Sequence, residues 1–322
     1  MHRKAWGAFV LVSLLWGMPY LLIKLAVHDV SPLFVAWGRV ALGALVLVPL
    51  AWRMGAFRGL ARHWPAVAAY AALEIAVPFV LIPVGELWVS SSLTAIVISC
   101  MPLLVALLAL WFGPREPMTP VRAAGLAIGL AGVVLLMGLD VAGRPSELIG
   151  VACIFAATLC YAASPLIVAR HLRGLHPMGP VAGALVLSAA VLTPFGIAFR
   201  PAAMPSATVW SAIGGLGVLC TAVALVGYFY LIAEAGPGRA SVITYLNPAV
   251  AVVLGIVVLG ESVTVLTVAE LLMIVAGSWF STDGRLPPGA VRALRAVWTA
   301  FPGHRRAGRT RVPTAALPER PA

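Results

Sequence analysis

Apolar stretches of roughly 18 to 24 residues, nearly free of charge, recur along the chain between short segments that hold its Pro, Gly, Asp and Arg. A helix rises 1.5 Å per residue, so about 20 residues cross the roughly 30 Å of hydrocarbon in a bilayer, and each stretch predicts one membrane-crossing helix. Windows of about 19 residues place ten of them, at 5–27, 31–52, 64–84, 89–112, 120–138, 147–169, 179–199, 208–232, 240–259 and 264–281. The connections carry turn chemistry, as in His28-Asp29-Val30-Ser31-Pro32 and Ala235-Gly236-Pro237-Gly238. Met1-His2-Arg3-Lys4 resembles the opening of a signal peptide. The apolar run after it is too long and lacks a small-x-small cleavage site, so it counts as the first span. The expected fold class is an all-α polytopic membrane protein.

Composition agrees. The 322 residues are 61% hydrophobic and 10% charged, with a mean hydropathy of +1.01, more apolar than a water-facing surface could enclose. The net charge of +11 comes from basic residues that flank spans and form no single face, which excludes a nucleic-acid binder. With the N-terminus in the cytoplasm, eighteen Lys and Arg fall on the cytoplasmic side and only Arg144 and Arg200 on the other, while Lys24 and Arg39 lie within spans. Both termini are therefore expected in the cytoplasm. The 20 Arg against 2 Lys, with abundant Ala and Gly, suit a GC-rich bacterial source and hence an inner membrane. The tail, 282–322, is basic and Pro-rich. Val291, Leu294, Trp298 and Phe301 share one helical face there, which gives two readings: a short helix lying on an anionic leaflet, or a disordered basic anchor. Cys100, Cys153, Cys160 and Cys220 all sit in apolar segments without metal-type spacing, so neither a disulfide nor a metal site is expected.

Compared with itself at an offset of 145, the chain matches Pro32 with Pro177, Pro49 with Pro194, Glu116 with Glu261, Thr119 with Thr264 and Gly132 with Gly277; Pro102 and Pro248 match at 146. Each repeat would hold five helices. Because five is odd, the second copy must enter the membrane from the opposite side, giving two inverted five-helix repeats at 5–138 and 147–281, with 1–4 and 282–322 as cytoplasmic ends. Inverted repeats supply two pseudo-symmetric packings, the basis of alternating access, with a binding site near the midplane. A channel or scaffold that does not switch is the plainer alternative.

Leu14-Leu15-Trp16-Gly17, the run Gly125-Leu126-Ala127-Ile128-Gly129-Leu130-Ala131-Gly132, and Arg239 to Pro248 leading into Leu259-Gly260-Glu261 resemble the drug/metabolite transporter superfamily, EamA type, over nearly all of 5–281. The resemblance implies ten helices in two inverted halves, with helices one to four and six to nine around a central cavity, five and ten peripheral, and export or exchange of small metabolites, often amino acids. Met18-Pro19-Tyr20 stand where the family often has small polar residues, and Gly113-Pro114-Arg115-Glu116 replaces the first-half Leu-Gly-Glu.

Ionisable groups in hydrocarbon are costly and need a partner or a watery cavity. Arg39 is roughly 12 Å and Glu74 roughly 15 Å from their span ends, so they overlap in depth. They could form a buried pair that is either a structural lock or a switch, with Glu74 taking a proton and Arg39 a substrate carboxylate. Lys24 reads as a snorkelling anchor or a substrate contact, and Glu270 as structural. Glu116 and Glu261 are expected to cap the helices they precede. Pro102 and Pro248 fall at matching places mid-span and would act as hinges, with Ser99, Cys100, Thr244, Tyr245 and Asn247 lining the bends, or back-bonded within a plain kink. Trp16, Tyr20, Tyr161, Tyr228 and Tyr230 carry polar tips at depth, and Trp16 and Tyr161, 145 apart, would face each other across the pseudo-axis.

All six histidines lie at span ends, in loops or in tails, and no hydrolase, metalloprotease or phosphate-loop motif occurs. The expectation is a secondary transporter for a small-molecule substrate. It works without a cofactor or metal, is seated in lipid and coupled to protons, and is not an enzyme. A membrane-integral enzyme and a non-transporting receptor or scaffold are the alternatives. The candidate substrate-binding residues are Trp16, Tyr20, Arg39, Glu74, Ser99, Tyr161, Tyr228, Tyr245 and Asn247.

Overall fold

The computed structural model describes residues 3–112, 119–135, 145–236, 240 and 242–281. The tail helix expected at 291–301, Glu116, Arg144, Arg239 and Ser241 lie outside them. The described residues are helical with no strand. Their helices are α1 (Arg3–Gly17), α2 (Pro19–Val27), α3 (Pro32–Arg53), α4 (Trp64–Tyr70), α5 (Val77–Gly85), α6 (Ser91–Ile98), α7 (Met101–Phe112), α8 (Pro120–Leu135), α9 (Pro145–His171), α10 (Met178–Ala198), α11 (Ala207–Gly214), α12 (Ala224–Ala235), α13 (Ile243–Leu259) and α14 (Val265–Ser281). Wider π-helical turns over Ala71–Ala76 and Gly215–Val223 join α4 to α5 and α11 to α12. Among the described residues, seven stretches are long and apolar enough to cross a membrane: Lys4–Val27, Pro32–Arg53, Leu60–Gly85, Ser91–Leu108, Pro145–His171, Met178–Ala198 and Ala207–Ala235. Three shorter apolar helices, Pro120–Leu135, Ile243–Leu259 and Val265–Phe280, fall on the remaining predicted segments. This is a polytopic helical membrane protein.

The interruptions have local causes. Pro19 and Pro102 lack the N–H that would continue the preceding turn, and each sits in the first turn of a new helix, where a missing donor costs nothing. At the second break Ser99 Oγ donates to Ile96 O at 2.6 Å. Pro248, by contrast, lies inside an unbroken α13. The two prolines expected to act alike therefore do different things: one starts a helix, and the other is tolerated within one. In the π turns, hydroxyls serve loosened carbonyls. Thr221 Oγ1 donates to Leu216 O at 2.8 Å, and Ser188 Oγ from α10 donates to Ala71 O at 3.4 Å.

Small residues let the helices approach, as is usual where lipid competes equally for apolar surface. A Cβ on Gly217 would stand 2.6 Å from Leu42 Cβ and 2.9 Å from Arg39 O, so α3 and the second π turn meet backbone to backbone. A Cβ on Gly277 would be 2.4 Å from Gly129 Cα, which closes α14 onto α8. Larger side chains fill the rest: Val40, Leu47, Tyr70, Ile75 and Phe79 pack with Leu185 of α10 in one buried cluster.

The connections gather at two ends. At one, Ser31 Oγ donates to Phe199 O at 3.0 Å, and the 86–90 turn meets α2 through Lys24. At the other, Gly179 at the start of α10 lies against the Ala56 carbonyl, and Leu60 reaches toward Gly183.

Candidate functional site

Arg39 sits on α3 facing the second π turn and is buried, with 8% of its surface exposed. Its Nε donates to Thr221 Oγ1 at 3.2 Å, an oxygen whose own proton is already given to Leu216 O. Its guanidinium carbon lies 3.7 Å over the Phe79 ring, a cation–π contact on the α5 side. Tyr20, Tyr161 and Cys220 are close enough to feel its charge. Arg39, Tyr20 and Tyr161 are thus brought together by α3, α2 and α9.

Glu74 lies near Tyr161, but the expected Arg39–Glu74 pair does not form. Glu74 stands on the first π turn and accepts a hydrogen bond from Ser164 Oγ of α9. The wider turn re-aims residues after Tyr70, and Phe79, five positions beyond Glu74, takes the place beside the guanidinium. At the exposed end of α2, His28 Nδ1 lies 2.9 Å from Asp29 Oδ1.

The aromatic expectations divide. Trp16 packs on Tyr228 with ring centroids 4.8 Å apart, in a cluster with Val12, Leu231 and Ile243. Tyr161 packs instead among Ala157, Val35 and Ile213, so the expected Trp16–Tyr161 facing pair is replaced by Trp16 on Tyr228. Tyr245 rests on Trp279 of α14 at 5.7 Å, and Tyr230 is 40% exposed. Ser99 is buried and bonded back to Ile96 O. Asn247 Oδ1 is buried without a hydrogen-bond donor, on α13 where its backbone carbonyl faces Gly17.

A second polar group lies at the end of the molecule where α2 finishes. A cavity of about 470 Å³ there is lined by Lys24, His28, Asp29, Ser206, Thr208 and Glu261. Lys24 is held: its Nζ donates to Glu86 O at 2.6 Å and Val89 O at 2.8 Å, so a cation satisfies carbonyls at the C-terminal end of α5 instead of snorkelling freely. Glu261 caps a helix, though not the one it precedes. It accepts from Ser91 N–H at 2.8 Å, Ser91 Oγ at 2.9 Å, Ser92 N–H at 2.9 Å and Ser92 Oγ at 2.5 Å, at the start of α6. Burial alone would push this carboxyl up, but the hydrogen bonds from Ser92 and Ser91 outweigh it and hold it below the ordinary 4.5. Thr264 takes the local capping role, accepting from Thr267 N–H at 3.1 Å.

Thr221, Phe79, Ser164 and Glu86 were not singled out in the sequence. A Thr or Ser within an apolar span usually bonds to its own helix, so the pattern carries no mark of a cross-helix partner. For Glu86 a signal exists: an acid in a five-residue connection between two spans has little chain with which to leave the protein. Among the described residues no group of three or more His, Cys, Asp or Glu could hold a metal ion.

Among the described residues, seven apolar spans with a buried, cation-bearing polar cluster define a multi-pass membrane protein. The chain belongs to the EamA-like transporter family, within the drug/metabolite transporter superfamily, matching it over residues 4–138 and again over 148–282. It is 29% identical over 265 residues to the Escherichia coli inner membrane transporter YedA, whose function is uncharacterized, covering 80% of this chain and 84% of that one. An uncharacterized transporter of Archaeoglobus fulgidus is 26% identical over 279 residues, covering 85% of this chain and 97% of its own. A protein of Streptantibioticus cattleyicolor named a "probable terminal-alkyne amino-acid exporter" is 26% identical over 262 residues, with 80% and 86% covered. A protein of known crystal structure shares the fold, with a TM-score of 0.62 and 22% identity over 89% of this chain and 100% of that one.

Proposed function

We propose that this chain is a ten-span secondary transporter built of two inverted halves, moving a small metabolite with a carboxylate group, amino-acid-like, by alternating access. Arg39 carries the reading. It is a buried guanidinium with no carboxylate within ion-pairing distance among the described residues, held in place by a neutral hydroxyl and a ring. A buried cation without a counter-ion is costly unless an anion comes to it, and a substrate carboxylate fits the planar fork. Tyr20 and Tyr161 beside it and the unpaired Asn247 Oδ1 supply further polar contacts to such a substrate.

Several observations support the inverted halves. The family match repeats along the chain, and the π turns over Ala71–Ala76 and Gly215–Val223 overlap when the chain is shifted by the 145 residues that pair the prolines. Contacts support opposite directions for α1–α2 and α9: Lys24 near the end of the first meets the 86–90 turn, and so does Gly150 near the start of the second, whose Cβ would touch Gly85 O at 2.8 Å and Val89 Cγ1 at 2.9 Å. The Glu74–Ser164 bond would then join the halves across their seam, and the excess of Lys and Arg favours both termini in the cytoplasm. Movement is export or exchange, coupled to protons. The name of the Streptantibioticus relative favours amino-acid substrates.

The test is uptake of radiolabelled L-amino acids, offered as a panel, by proteoliposomes holding the purified chain. At least one should enter unchanged, and Arg39→Gln should reduce that flux by about tenfold or more, the loss expected for one buried charged contact. Full flux through folded Arg39→Gln, or a chemically altered ligand, would overturn the reading; the second outcome would indicate an enzyme.

A further inference from the structure

Glu86 ends α5 in the connection to α6 and is 0% exposed. Both of its carboxylate oxygens are buried and accept no hydrogen bond. The charged and polar groups that face it are Lys24 and Tyr20 from α2, Arg39 from α3, Thr94 from α6 and Glu261 from the turn before α14. None of them donates to its oxygens, and all but Tyr20 are engaged elsewhere. Lys24 holds the carbonyls of Glu86 and Val89, Arg39 holds Thr221 and Phe79, and Glu261 is taken up by Ser91 and Ser92. A hydroxyl has one proton to give, and that of Thr94 goes to Ser90 O at 3.0 Å.

An ionised carboxylate so placed has lost water and gained no donor, whereas the neutral acid escapes most of that cost. Burial pushes the Glu86 carboxyl well above the usual carboxylate range, and the opposing pull of Lys24 does not offset it. The two acids differ in geometry: Ser164 donates to Glu74, whereas neither oxygen of Glu86 has a donor. We propose that Glu86 is a proton-binding site that latches this end of the molecule, and that it, not Glu74, carries the proton coupled to transport. The coupling half rests on the transporter reading above; the proton-binding half does not.

The latch follows from linkage. Lys24, Glu86 and the Glu261 cap on α6 join α2, α5, α6 and the turn before α14 beside the 470 Å³ cavity. With the proton on Glu86, the arrangement described here no longer holds there a carboxylate charge that lacks a donor. Opening admits water, or frees Lys24 from the two carbonyls to meet the carboxylate, and so favours the ionised form. A proton that binds the closed form better than the open one shifts their ratio by the difference in its affinity, up to tenfold per pH unit between the two carboxyl values. The step transfers a proton from water to a carboxylate oxygen and back, with no other bond changed.

The first measurement is an infrared pH titration of the protonated-carboxyl C=O stretch on the purified full chain. A band component that titrates above the ordinary carboxylate range and persists in Glu74→Gln is expected, and Glu86→Gln is expected to remove that component. Its absence from Glu74→Gln, or an undiminished band in Glu86→Gln, overturns the proposal. Should Glu86→Gln fail to fold, Lys24→Met must move the band to higher pH, and an unmoved band overturns the proposal equally. The second measurement uses proteoliposomes and a transported member of the amino-acid panel. Glu86→Gln should lower the ratio of pH-driven accumulation to equal-pH exchange by about tenfold or more. An unchanged ratio, or accumulation in wild type driven by a sodium gradient and not by pH, overturns the coupling role. Wild type that neither exchanges nor accumulates any panel member refutes the transporter reading instead, while the infrared band still decides whether Glu86 holds a proton.

Discussion

Single side chains at the membrane edge do work that their place in the sequence does not reveal. Glu261 was expected to serve its own helix and instead serves α6, because folding brings four donors from Ser91 and Ser92 to its two oxygens. Its carboxyl is held below 4.5, so its contribution to stability is complete above the unfolded value and disappears as pH falls through the lower folded value. Glu261→Gln should therefore lower stability by about 1 kcal/mol at neutral pH, the usual cost of a lost cap. In thermal melts of detergent-solubilised protein, the gap between the two should close as pH drops below 4.5. A gap independent of pH would mean that the carboxylate charge contributes nothing. The charges of Arg39 and Glu74 were legible as costly and in need of partners. Their partners, Thr221 with Phe79 and Ser164, were not, because a hydroxyl or a phenyl ring in an apolar span carries no sign of whom it meets.

At the scale of elements, hydropathy located the helices well, since each must satisfy its own backbone in lipid wherever its neighbours stand. Their interruptions were only half visible. Pro19 and Pro102 could be read as breaks, while the π turns at Ala71–Ala76 and Gly215–Val223 contain no proline and depend on hydroxyls that take up carbonyls, one from another helix and one from within the turn. Those turns aim Glu74 and Thr221. The second also needs glycine where it meets α3. Gly217→Val places atoms 2.6 Å from Leu42 Cβ and 2.9 Å from the Arg39 carbonyl, too close for either backbone to accommodate without moving. We expect a loss of about 1–3 kcal/mol, the common range for overpacking, together with weakened substrate binding as Arg39 shifts relative to Thr221. Melting temperature and flux measured on the same preparation test this. A melting point equal to that of wild type would show that the two helices are not in close contact in the bilayer.

For the whole molecule, the prediction is one of sidedness. His28 and Asp29 share a cavity with Ser206 and Glu261 at one end, and Ala56 lies by Gly179 at the other. With the positive-inside assignment, a cysteine replacing His28 should react with a membrane-impermeant maleimide added outside intact cells, and one replacing Arg58 should not. Reporter tags at the ends of α2 and α9 should likewise fall on opposite sides. Labelling of both cysteines from outside, or tags on the same side, would remove the inverted halves and the two resting packings they provide.

Apolar run lengths, the charge asymmetry and the 145-residue echo were enough to declare a helical membrane protein, its segments and most of the ionisable groups that need explaining, and short motifs such as Leu14-Leu15-Trp16-Gly17 carried the family resemblance. Those are properties of one segment at a time, set by the transfer of each span into lipid. Which helix faces which was decided only when glycines allowed backbones to touch and the π turns rotated the chain. Tertiary packing parted Arg39 from Glu74, carried Glu261 across to α6 and left Glu86 sealed without a donor. Contacts between distant segments depend on angles and depths that no single stretch encodes.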